Sequence, residues 1–158
     1  MKNSKILIAF ICMICLATST SDAQKFFKIV DATKQSWSGG LPQNGSGTTY
    51  SVIVVLKTDM KIEFKDFWLG NDYGIPDISS LSYSDGRALK KGDTAVVKYT
   101  VHHYPPNSPM ADESRTIVKP APIYYSGQAL LGFSVAGSAP VYRAVKSFRE
   151  LPAKKAIQ

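Results

Sequence analysis

The residue types that could do chemistry are few in this chain, and none falls into a spacing that chemistry requires. Its two histidines, His102 and His103, are adjacent. An alternating apolar and polar segment surrounds them, so they lie on a strand with their side chains on opposite faces. Either could serve as a base toward one of the many serines, which makes a small hydrolase using His102 or His103 an alternative. No serine, however, sits in a nucleophile-elbow G-x-S-x-G pattern. Asp72, Asp77, Asp85, Asp112 and Glu113 fall in expected loops, where a carboxylate pair could hydrolyse a glycoside. No spacing singles out such a pair.

Metal chemistry fares no better. His102, His103, Met60 and Met110 are ligand types that suit copper. A blue-copper site needs a thiolate as well, and two adjacent strand histidines diverge. Aspartates near Asn71 lack the ligand spacing of a calcium loop. Gly39-Gly40 and Gly45-Ser46-Gly47 are not set between a strand and a helix, the context a phosphate cradle requires. The sequence therefore assigns no catalytic residue, no metal site and no cofactor.

Aromatic side chains remain. Trp68 falls on the strand face opposite Phe67 and Leu69, and the irregular segment after it carries Tyr73. Trp37 is expected in a glycine-rich loop. Rings exposed at the end of a β domain stack on sugars or form protein contacts, so Trp37, Trp68 and Tyr73 are the candidate ligand-binding residues. Exposure of all three along one surface would support a carbohydrate-binding domain, and burial of all three would exclude it.

The elements that must position these residues begin after residue 23. Lys2 and Lys5 precede an apolar run over residues 6–17, and small polar residues follow it. This is the pattern of a cleaved secretory signal peptide. The run is too short for a spanning helix, which takes about 20 residues. Ser21 and Ala23 place the cut between Ala23 and Gln24. Both cysteines, Cys12 and Cys15, leave with the leader. Of 19 basic and 12 acidic residues, Lys2, Lys5 and Asp22 are lost, leaving 17 and 11 and a net charge of +6. Residues 24–158 are long enough for one domain with a sizeable core.

That domain reads as short alternating segments between turn clusters, the signature of an all-β sandwich or barrel. Residues 25–30 form a first strand and 36–48 a loop. Residues 50–56 form a central strand with Tyr50, Val52, Val54 and Leu56 on one face. Along 61–69 the apolar phase slips from Ile62 and Phe64 to Phe67 and Leu69, which predicts a β-bulge near Lys65-Asp66. A weak strand is expected around 80–83, a long one over 94–104, a short edge at 116–118 and another strand over 129–135. Residues 141–148 fit a strand or a helical stripe, and the preceding turn favours the strand.

The expected fold is a small antiparallel β-sandwich of about seven strands, immunoglobulin-like in general architecture, with a small closed β-barrel as the alternative. The expected function is that of an exported, non-enzymatic binding or interaction module, an accessory component of the cell envelope. Its partner would be an envelope protein or a glycan. The extracytoplasmic location, periplasmic or secreted, argues against nucleic acid.

Overall fold

The computed structural model describes residues 22–40, 45–80, 89–106, 108 and 117–155. The expected signal peptide lies outside the described residues except at its last two positions. So do Asp85, Met110, Asp112 and Glu113, and most of the weak strand expected at 80–83. No described helix is long and apolar enough to cross a membrane.

Ten strands form two five-stranded sheets. β1 (Phe27–Ser38), β2 (Ser46–Leu56), β5 (Asp77–Ser80), β6 (Thr94–His103) and β10 (Arg149–Lys155) make the first, in the order β10-β1-β2-β6-β5. β3 (Ile62–Leu69), β4 (Asp72–Gly74), β7 (Ile117–Val118), β8 (Ala129–Val135) and β9 (Val141–Val145) make the second, in the order β7-β4-β3-β8-β9. All pairings are antiparallel except β1 with β10. The result is a sandwich whose sheets keep free edges, not a closed barrel.

Alternation creates the core between the sheets. β2 turns Val52, Val54 and Leu56 inward, and β6 adds Ala95 and Val97. The second sheet answers with Phe64, Phe67, Leu131, Phe133 and Val135. Phe27 meets Phe64 and Phe133 edge-on at 5.3 and 4.9 Å, a favourable ring geometry. The expected phase slip in β3 is present as a register shift between Phe64 and Asp66, and it keeps Phe64 and Phe67 both facing the core. A 3-10 turn, Asp22–Lys25, precedes β1 and buries Ala23 against the same core.

Three elements differ from expectation. β1 and β2 extend through much of the glycine-rich segment expected as a loop over 36–48, so Trp37 is a strand residue. Backbone pairing carries the ladder there, although apart from Trp37 its residues are glycines and small polar ones. The irregular segment expected after Trp68 contributes β4 and β5. β10 has no expected counterpart, because Pro152 and a nearly continuous run of exposed residues conceal it. Proline is tolerated there because β10 is an edge strand.

Candidate functional site

The two tryptophans lie on the outer faces of opposite sheets. Trp37 pairs with Gly47 on β2, which pairs with His102 on β6, so all three occupy one transverse row of the first sheet. Trp68 follows core-facing Phe67 and so points away from the core on the second sheet. Trp37, Trp68 and Tyr73 therefore form no common surface. Tyr73 joins Trp68, and Trp37 stands apart.

Trp68 is 2% exposed and belongs to a second packed layer. Its cross-strand partner Tyr73 lies 5.2 Å away, and Tyr142 of β9 meets it edge-on at 5.8 Å. The Lys119 ammonium lies 5.8 Å from the indole and 4.2 Å from the Tyr73 ring. Tyr73 donates a 2.8 Å hydrogen bond to Asp66 Oδ1, and this bond foremost holds its phenol above the ordinary pKa. Burial, and then the Asp66 charge, push Tyr142 the same way. Covered on both sides, Trp68 is a structural residue.

Trp37 has a different setting. His102 meets it edge-on at 5.4 Å, and Tyr104 stacks on His102 at 5.7 Å with a 7° interplanar angle. Among the described residues, His102 contacts the Trp37 and Tyr104 rings, and neither supports the hydrolase reading. His103 points the other way and is exposed. Among the described residues, no group of three or more histidines, cysteines or acidic residues could hold a metal ion.

A concave feature lined by residues of both sheets lies along one side of the sandwich. β10 pairs with β1 only from Thr33 onward, so among the described residues the first half of β1 has β2 alone as a paired strand. β9 likewise pairs only with β8. A groove of about 1200 Å³ runs beside these two free edges. Ile29, Val30, Leu130, Tyr124, Tyr142 and Ala144 line it, with Arg143, Lys146 and Arg149 among its charged residues. Tyr124 is 97% exposed. Arg143 donates to the Phe27 carbonyl and lies 5.0 Å from the Phe27 ring, and burial lowers its pKa. Arg149 binds Asp31 at 2.7 Å.

Sequence reasoning missed this groove. The alternation of Val141, Tyr142, Arg143, Ala144 and Val145 was a usable signal for outward Tyr142 and Ala144. That β9 ends its sheet depends on long-range pairing, which no local pattern carries. Comparisons with known proteins add no information, since no family model, curated protein or solved structure matches the chain.

Proposed function

We propose that the protein is an exported, non-enzymatic interaction module of the cell envelope that takes an extended acidic segment of a partner protein along the groove beside β9. The observation that supports this reading is the coincidence of a free strand edge with an apolar, basic-rimmed groove. A strand edge offers unpaired N–H and C=O groups, and an added strand gains main-chain hydrogen bonds while neighbouring pockets select its side chains. The other outer strands are less inviting: β10 carries Pro152 and several charges, β7 has two residues, and β5 has four and begins with Asp77. β9 has five residues without proline or acidic side chains. Arg143, Lys146 and Arg149 face only Asp31 among the groove's charged residues, and Asp31 is already held by Arg149. Charge complementarity therefore favours Asp and Glu in the incoming segment.

Export rests on the leader at residues 1–23. The expected mature chain begins at Gln24, whose amine cyclises onto its own side chain with loss of ammonia, and intact mass reads this directly. Such a cut withdraws the Ala23 methyl from the core, a loss of about 0.8 kcal/mol. A mature chain that retains Ala23 places the cut upstream.

The groove is tested by photo-crosslinking in the protein's own cells, with the reactive group at Ala144 or, as control, at Glu63. Ala144 alone should join one envelope protein, at a peptide rich in Asp and Glu. A synthetic copy of that peptide should compete, and Lys146→Glu should weaken its binding about tenfold. Equal capture from both positions, or a captured peptide without acidic residues, overturns the reading.

A further inference from the structure

A second surface, separate from the groove, is built around Trp37. Four strands each contribute one position to a row across the first sheet: Lys154 on β10, Trp37 on β1, Gly47 on β2 and His102 on β6. Gly47 lets the row lie flat. A Cβ added there would come within 2.7 Å of indole Cζ2, so one face of Trp37 rests against the glycine backbone. The indole as a whole is only half-buried. His102 closes one end of the row, and the Tyr104 hydroxyl lies 3.4 Å from its Nδ1. Lys154, which is exposed, stands at the other end.

The next row on the same face is Gln35, Thr49 and Thr100, with the two threonine hydroxyls 3.1 Å apart. A flat indole bordered by hydroxyl and amide groups is poorly matched to an apolar protein patch. It matches a pyranose, which offers an electropositive C–H face to the negative face of the ring and hydroxyls around its rim. No acidic side chain belongs to either row, and Lys154 and its neighbour Lys155 add positive charge at one end.

We propose that this row binds an acidic polysaccharide, with a sugar ring on Trp37 and a sugar carboxylate directed to Lys154. His102 and Tyr104 act as positioning residues that hold the indole in place. The site goes beyond the groove reading and does not depend on it.

Binding of polygalacturonate to the processed full chain tests the proposal, with a neutral cello-oligosaccharide and polyglutamate as comparisons. Trp68 is 2% exposed, so a change in tryptophan emission on binding reports Trp37. The expected result is an emission shift with polygalacturonate, weaker binding to the neutral sugar and none to polyglutamate at the same charge concentration. Trp37→Ala should lose at least about tenfold in affinity, and Trp37→Phe should recover part of it. Lys154→Ala should remove the preference for the acidic polymer while the neutral sugar binds as before. Trp37→Phe and Lys154→Ala keep the test open if Trp37→Ala does not fold. Equal binding to polyglutamate, no preference for the acidic sugar, or full affinity in the folded Trp37 variants overturns the proposal.

Discussion

Trp37 and Trp68 occupy equivalent settings with opposite outcomes. Each points outward from its sheet, and each has a glycine on a neighbouring strand that makes room for its indole, Gly47 for Trp37 and Gly132 for Trp68. The flanking residues differ. β4 supplies Tyr73, β9 supplies Tyr142, and Lys119 closes over both rings of the Trp68–Tyr73 pair. Around Trp37 the neighbouring strands supply His102 at an edge, Lys154 at the rim and small hydroxyl side chains. A large aromatic on an outer sheet face is thus structural or available according to what the adjacent strands bring, not according to its own type.

The sharpest way to break this comparison is to truncate each ring. Trp68→Ala removes a buried indole from a packed layer and should cost about 3–5 kcal/mol. Trp37→Ala should cost less, about 1–3 kcal/mol, because its indole is partly exposed. Denaturant unfolding of the two variants checks this. Equal losses would mean that Trp37 is as structural as Trp68.

A smaller effect is expected from the paired glycines. At Gly132 an added methyl would lie 2.8 Å from Asp66 Cβ and 3.2 Å from Trp68 Cζ3, so Gly132→Ala crowds side chains in the packed layer. At Gly47 it would lie 2.4 Å from the Val101 carbonyl oxygen as well as against the indole. Each substitution should cost about 1–3 kcal/mol through overpacking. Only Gly47→Ala should also lift Trp37, making its emission more accessible to a soluble quencher. If Gly132→Ala produces the larger gain in quenching, the assignment of the two rings is reversed.

Much of this arrangement was legible from local pattern. Tyr50 to Leu56 reads as a central strand because β-branched residues alternate there, and β2 is central. The slip between Phe64 and Phe67 reads as a bulge because a period-2 pattern cannot change phase otherwise. The outward side of Trp68 follows from the same count. The position of Trp37 did not follow, because Ser36, Ser38, Ser46 and Gly47 have the composition of a loop although the hairpin ladder runs through them. β10 was hidden by Pro152, and its parallel pairing to β1 joins residues more than a hundred positions apart. Whether Trp68 is covered was equally out of reach, since its cover comes from Tyr73, Lys119 and Tyr142 on three separate segments.

The smallest expected effect is an alkaline pH dependence to which the Trp68 side contributes alongside Tyr99, whose phenol is also pushed up by burial. Tyr73 donates to Asp66, and that bond and then burial raise its pKa; burial and then Asp66 raise that of Tyr142. In the unfolded chain both phenols ionise near about pH 10. The folded state therefore holds these protons to higher pH than the unfolded state does. The stabilisation is fully present below about pH 10 and is lost as pH rises through the higher folded values. Stability should fall above about pH 10, accompanied by a change in Trp68 emission before global unfolding. Tyr73→Phe should cost about 1 kcal/mol or less at neutral pH, because a partly exposed hydrogen bond is screened by solvent. It should also flatten part of the alkaline slope and leave the parts due to Tyr142 and Tyr99. Trp37→Phe should leave the alkaline slope as it is. An alkaline slope untouched by Tyr73→Phe would place the titration elsewhere in the fold and detach Asp66 from the layer that covers Trp68.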